Sequence, residues 1–246
     1  MKNIKKVVLS PHYDDFCFSL SGFIKAEEHW HVINIFSQCN HIADRYLKCL
    51  TGEINYLKIT AIRDQEDIEF FKLFDGSREN LGLKEATLRG SNPFDLKYLN
   101  EVIGELSKVL VPRLNQISAK ESSVIDLYCP MGIGGHIDHL ATLLCIRNSL
   151  IDLSKSFNFY FYEDLPYASN PTMRQKGLSN FSANFHDSIQ FLNRVNLLND
   201  SEKFLKSKFI SIYRSQHESE PSFDRFSIAH NGHNARFESV WSLINI

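Results

Sequence analysis

The sequence predicts an α/β layered fold with a mostly parallel sheet. Three observations carry that expectation. Short apolar runs of strand length recur along the chain: "VVL" at 7–9, "VINIF" at 32–36, "VIDLYC" at 124–129 and "NFYFY" at 158–162. Longer segments of helical period separate them, and glycine- and proline-bearing turns punctuate the junctions. A chain of 246 residues can bury one sizeable core of this kind.

In order, residues 5–10 read as a strand, 16–28 ("FCFSLSGFIKAEE") as a helix and 31–37 ("HVINIFS") as a second buried strand. A helix is expected at about 58–74, with Ile68, Phe71 and Leu73 or Phe74 as its apolar face. A polar connection covers 75–94, and a helix at about 95–110 ends near Pro112. The second half continues the alternation, with a strand at 123–130, a turn "GIGGH", a helix "IDHLATLLCIRNSLI" and a strand at 158–166. Helices are expected around 186–196 and 200–215, before a terminal segment ending "ESVWSLINI". No linker or repeat interrupts the chain, so 1–246 reads as one domain, with about 167–246 a mixed portion packing on it.

Composition narrows the function classes. Charged residues are 23% and the formal net charge is −2, without a basic run, which argues against nucleic acid or an acidic membrane as partner. No apolar stretch reaches the length of a signal core or a membrane span. Five cysteines, odd in number and without a C-x-x-C pair, read as free thiols of a reducing compartment. The expectation is a soluble cytoplasmic protein. Nineteen phenylalanines are mostly core, and their number leaves room for a homo-oligomer interface.

Two polar clusters stand at the ends of predicted strands. His12, Asp14 and Asp15 follow strand 5–10, and His136, Asp138 and His139 follow strand 123–130. In open α/β sheets the ligand crevice lies outside the carboxyl ends of the strands, so both fall at the same edge. Each cluster alone also has a plain reading: Asp14 or Asp15 as a helix N-cap, and His-x-x-His as surface polarity. Together, one imidazole nitrogen from each cluster and one carboxylate oxygen make a three-ligand set with room for a water, the composition of an open catalytic zinc site. Glycines 132, 134 and 135 allow close approach of backbone to a ligand.

"SPHYDDFCFSLSG" with "GIGGHIDHLAT" resembles the zinc-dependent de-N-acetylases of N-acetylglucosaminyl compounds, the LmbE-like or PIG-L family. Further agreements are Arg63 with Glu66, "FYEDLPYA" at 161–168, "YRSQ" at 213–216 and Trp241, so the resemblance spans nearly the whole chain. It implies a Rossmann-like three-layer α/β sandwich. It makes His12, Asp15 and His139 the zinc ligands, Asp14 the general base, His136 the group that stabilises the oxyanion or protonates the leaving amine, and Arg63 a substrate contact. Two positions depart from the pattern. Phe16 stands where many members have Glu, and Gly134 where some have an oxyanion-binding Tyr, leaving Tyr13 or another tyrosine to take that part.

The implied function is a metal-dependent amidohydrolase that removes the N-acetyl group from an N-acetylated amino sugar, a small-molecule substrate. Zn2+ is the implied cofactor, with another divalent metal open. Asp138 is placed to hold His136 or His139 in one tautomer. A non-catalytic sugar-binding or regulatory protein on the same fold is the alternative. A nucleotide-binding Rossmann protein is disfavoured, because no G-x-G-x-x-G follows the first strand. Arg89 is open as a sugar or phosphate contact or as a surface residue, Glu163 and Asp164 as crevice lining or a turn cap, and His217, His230 and His233 as a second metal cluster, for which no ligand spacing speaks.

Overall fold

A computed structural model of the chain describes residues 4–25, 28–230 and 235–244. The strands are β1 (Lys6–Ser10), β2 (Trp30–Asn34), β3 (Gly76–Asn80), β4 (Ile125–Pro130), β5 (Phe157–Tyr162), β6 (Phe191–Leu197), β7 (Ile228–Ala229) and β8 (Arg236–Leu243). The helices are α1 (Asp15–Leu20), α2 (Asp44–Leu47), α3 (Tyr56–Phe71), α4 (Leu99–Ser118), α5 (Ile137–Asn148), α6 (Leu150–Leu153), α7 (Pro171–Ala183) and α8 (Asp200–Ile210).

The strands form one mixed sheet in the order β3-β2-β1-β4-β5-β8-β6, with β7 paired to β8. The first five strands are mutually parallel. β8 is antiparallel to β5, and β6 and β7 are antiparallel to β8. Helices cover the parallel part, which is why β1, β2 and β4 read as near-continuous apolar runs rather than alternating ones. From β1 the chain builds outward to β2 and β3, then returns to place β4 on the other side of β1. That reversal is a topological switch point, and it opens a crevice at the carboxyl ends of β1 and β4.

Several elements differ from the sequence expectation, each for an identifiable reason. The segment expected as a helix at 186–196 contains strand β6, which pairs with β8 along its whole length. The terminal segment is β8, inserted between β5 and β6, so the C-terminal portion extends the sheet instead of only packing on it. Helix α4 runs through Pro112 to Ser118. Val102, Leu106, Leu110, Leu114 and Ile117 keep one buried stripe on both sides of the proline, while Lys108, whose carbonyl loses its partner, lies on the exposed face. The first helix ends at Leu20, followed by a 3₁₀ turn at 21–23, and the helix expected at 200–215 ends at Ile210. β3, within the polar connection at 75–94, and α7 were not expected. α7 starts where the Asn170 side chain accepts the N–H groups of Thr172 and Met173, with Pro171 in the first turn.

The face of α3 also departs from its apolar pattern. Ile68 and Phe71 are half-buried and Leu73 is exposed, whereas Arg63, Glu66 and Asp67 are buried beside Ile59 and Phe70. A helix that buries three charged side chains must satisfy them internally. Glu66 accepts the N–H and hydroxyl of Ser215. Asp67 accepts from Asn34, Tyr213 and Arg78. Arg63 turns to the crevice.

Candidate metal centre and active site

At the end of β1 the chain turns sharply. The Asp15 carboxylate accepts the His12 N–H at 2.7 Å, and Ser10 Oγ donates to the His12 carbonyl at 2.6 Å. Asp14 is the N-cap residue of α1, but its side chain makes no capping bond and lines the cavity instead. Phe16 is a core residue, packed against Trp30, Phe70, Phe71 and Phe74. At the end of β4, Gly132, Gly134 and Gly135 all have positive φ, and the loop they form delivers His136 to the N-cap of α5. His136 Nδ1 accepts the Asp138 N–H at 3.2 Å, so its ring proton resides on Nε2.

The two clusters meet. Asp15 Oδ2 lies 3.4 Å from His12 Nδ1 and 3.4 Å from His139 Nε2. The facing atoms of His12, Asp15 and His139 all lie within 4.8 Å of one another. The far nitrogen of each imidazole is held by a buried carboxylate: His12 Nε2–H donates to Asp138 Oδ2 at 3.1 Å, and His139 Nδ1–H to Asp164 Oδ1 at 2.7 Å. The nitrogen of each ring that faces Asp15 is thus the one left to ligate once its proton is displaced, the arrangement that metal-ligating histidines adopt. This donor set fits a divalent metal.

His12, His136 and Asp138 form a second group within the same distance. Its carboxylate is already committed, because Asp138 also accepts the Ala86 N–H at 3.0 Å and the Arg89 guanidinium at 2.5 Å. Asp138 therefore orients His12, 126 residues away in sequence, and not the ring of His136 or His139. Arg89 reaches this buried carboxylate instead of the cavity, contrary to a sugar- or phosphate-contacting part.

Arg63 is 2% exposed and donates to Asp14 Oδ1 at 2.9 Å and to Glu85 Oε2 at 3.3 Å, holding the candidate base in place. It also lines the cavity, and its Nε is a buried donor without a protein partner among the described residues. Glu85 in turn accepts the N–H groups of Asn40 and His41.

Tyr13 points away, its hydroxyl donating to the Ser37 carbonyl. Tyr167, in the turn after β5, lines the cavity instead. A Cβ at position 134 would lie 2.4 Å from Tyr167 Cγ, so the space a side chain at 134 would use is filled by this ring. Burial, with the nearby Asp15 and Asp14 charges, raises the Tyr167 pKa and keeps the phenol protonated. Sequence reasoning missed Tyr167 as a site residue, although "FYEDLPYA" contains it.

Charge in the cavity is finely divided. Burial disfavours the imidazolium of His12, but Asp138 and Asp15 outweigh it and raise the pKa well above the ordinary value. The same holds for His139, where Asp15 and Asp164 outweigh burial. For Asp15, burial is outweighed by His139 and His12, which hold the carboxyl well below its usual range. His136 goes the other way: burial and the neighbouring His12 and His139 push it far down, so it is a neutral imidazole.

Glu163 does not line the crevice; it is buried and accepts from Arg174 and Trp241. Asp164 is the His139 partner. His217 lines the cavity and bonds the Ile210 carbonyl, His230 is exposed, and His233 lies outside the described residues.

No family model matches the chain. It is 25% identical over 169 residues to a 2'-N-acetylparomamine deacetylase of Streptomyces fradiae, covering 67% of this chain. The chain spans 58% of that relative's length. Its fold matches the zinc-inhibited form of teicoplanin deacetylase with a TM-score of 0.69 at 16% identity, over 98% of each chain. A 4-carboxy-2-hydroxymuconate hydratase from Pseudomonas putida matches with a TM-score of 0.51 at 14% identity, over 99% of this chain and 98% of that one. The fold is thus that of the LmbE-like deacetylases its motifs resemble, and fold alone does not set the chemistry.

Proposed function

We propose that this chain is a metal-dependent amidohydrolase that removes the N-acetyl group from a small-molecule amino sugar, with His12, Asp15 and His139 as the metal ligands. The observation that carries the reading is the paired tethering of the two imidazoles. Asp138 and Asp164 take the far N–H of each ring, so the two remaining ring nitrogens and one carboxylate oxygen face one another, where a metal would replace the protons of the rings. A divalent metal held there polarises an acyl oxygen and acidifies water, so that hydrolysis can run near neutral pH.

The remaining chemistry belongs to the chain. Asp14 is the general base: Arg63 fixes one carboxylate oxygen and leaves the other to take the proton of the attacking water, a transfer worth about 10²–10⁴-fold. His136, neutral and capped at Nδ1, offers its Nε2–H as a hydrogen bond to the developing oxyanion, and the proton that Asp14 takes from water passes on to the leaving amine. The Tyr167 hydroxyl is a second protonated donor on the same wall. Arg63, which also lines the cavity, is the candidate substrate contact.

Zinc is the metal we favour. A structural relative is described in a zinc-inhibited form, so cobalt, manganese and nickel belong in the same test. The N-acetyl amino sugar is favoured by the paromamine-deacetylase relative, and a small molecule by the cavity, about 280 Å³. Among the described residues no helix is long and apolar enough to cross a membrane. We read the chain as one domain, since β6 and β8 complete the sheet that β1 and β4 begin.

The test pairs metal content with acetate release on a panel of N-acetylated amino sugars. Wild type should bind about one divalent metal per chain and release acetate, and His12→Ala should lose the metal. Asp14→Asn should keep the metal and lose about 10²–10⁴-fold in turnover. Metal-loaded wild type that binds the sugars without hydrolysing them would establish the binding-protein alternative.

A further inference from the structure

Phe94 is the one large apolar side chain of the described residues that is both strongly exposed, at 55%, and part of the cavity wall. Scattered exposed apolar residues are ordinary, but this one is held in place. The Phe94 N–H donates to Asn92 Oδ1 at 2.9 Å, and the Asp95 N–H to the Asn92 carbonyl at 3.0 Å. The Pro93 carbonyl accepts the Ile137 N–H at 2.7 Å, which ties the loop to the first residue of α5. The helix that carries His139, and His136 at its cap, therefore also fixes Phe94. The Phe94 ring stands edge-on to His136, with centroids 5.8 Å apart at 78°, and to Tyr167 at 6.4 Å and 86°. Those edge contacts leave more than half of the residue to solvent at the mouth of the site.

The cavity of about 280 Å³ lies at the lower limit of ligand pockets, roughly 300–1,000 Å³, so it holds one ring-sized unit with its acyl group. A pyranose offers what such a wall takes: a face of C–H groups for an aromatic ring, and a rim of hydroxyls for polar groups. Gln216 and His41 line the same cavity and supply polar partners for that rim. An acyclic or peptide N-acetyl group presents no such face.

Building on the deacetylase reading, we propose that Phe94 is the specificity platform of the site. It seats a single N-acylated pyranose ring on its exposed surface and brings the amide beside Asp14 and His136, with the rest of the substrate outside the cavity.

The experiment compares wild type, Phe94→Ala and Phe94→Trp on two probes with the same acetamide, methyl N-acetylglucosaminide and the acyclic N-acetylethanolamine. Metal content and thermal melting serve as controls on all three proteins. Phe94→Ala should raise KM for the pyranoside about tenfold, the loss of about 1.4 kcal/mol of binding, with kcat little changed. Phe94→Trp should restore KM, and kcat/KM on the acyclic amide should not move or should be negligible throughout. Saturation-transfer NMR on the methyl glycoside reads the same contact without turnover. An unchanged KM in Phe94→Ala, or an equal loss on both probes, overturns the platform and leaves the deacetylase reading standing. No acetate release by any protein, with sugar binding still lost in Phe94→Ala, retires the deacetylase reading and keeps the platform. No sugar binding by wild type overturns the platform.

Discussion

Replacing Asp164 by Asn removes one negative charge and one acceptor from a carboxylate that is 0% exposed and uses both oxygens. Oδ1 accepts the His139 Nδ1–H at 2.7 Å and Oδ2 accepts the Ile133 N–H at 2.8 Å. An asparagine has one acceptor oxygen and one amide donor, so it cannot satisfy both. If its oxygen faces His139, the ring keeps the ligating tautomer, but the buried Ile133 N–H meets another donor, at a cost of about 1–3 kcal/mol. If its oxygen faces Ile133, the amide donates to His139 Nδ1, and the ring proton moves to Nε2, the atom 3.4 Å from Asp15. The second arrangement satisfies every group in the metal-free protein, so metal binding must drive the flip back to the first. Asp164→Asn should therefore weaken metal affinity by about 10–100-fold, the usual range for removing such an outer partner, and the metal-free protein should lose the part of its stabilisation that His139 draws from Asp164. Zinc titration against a chromophoric chelator, beside thermal melts of the metal-free proteins, reads both quantities. A dissociation constant within about twofold of wild type would refute the tethering argument, since a tenfold change is only about 1.4 kcal/mol.

The raised pKa values of His12 and His139 give a pH signature with two opposite signs. In the metal-free protein both groups bind protons more tightly folded than unfolded, so their stabilisation is full below the unfolded value and is lost as pH rises through the folded one. Metal must displace those protons, so the melting temperature of metal-free protein should fall with rising pH while metal affinity climbs, by up to about 100-fold per unit if two protons leave. Melts and chelator titrations across pH 5–9 check this, and parallel trends would contradict it. Gly134→Ala places a Cβ at φ +98°, 2.4 Å from Tyr167 Cγ. It should destabilise by about 2–5 kcal/mol from backbone strain and overpacking together. Measured against Tyr167→Ala alone, adding Gly134→Ala should cost the backbone part only, and denaturant melts of the three variants decide it. Arg89→Met leaves the Asp138 carboxylate without its cation, so metal affinity should drop about tenfold. An unchanged affinity would show that His12 and the Ala86 N–H suffice.

Much of the site was legible because it is locally encoded. An apolar run, a proline and three polar residues place His12, Asp14 and Asp15 after β1, and three glycines before His136 present the second cluster after β4. Alternation of strand and helix then brings both to one sheet edge by the rule that governs open parallel sheets. The elements that were misread are those whose identity depends on distant partners. "FLNRVNL" (191–197) is a strand because β8 pairs with it, and α4 survives Pro112 because its buried stripe continues beyond.

The residue types and their order along the chain were enough to nominate a metal-binding hydrolytic centre. They could not say which nitrogen of each histidine faces inward. That depends on Asp138 meeting His12 across 126 residues and on Asp164 meeting His139 across 25. Nor could they show that the buried face of α3 is its charged one, which delivers Arg63 to Asp14, or that Tyr167 occupies the space above Gly134. Local periodicity records how a segment divides between core and solvent. A tautomer, a shared carboxylate or a ring filling the place of an absent side chain is set by contacts between segments, and these exist only once the chain has closed on itself.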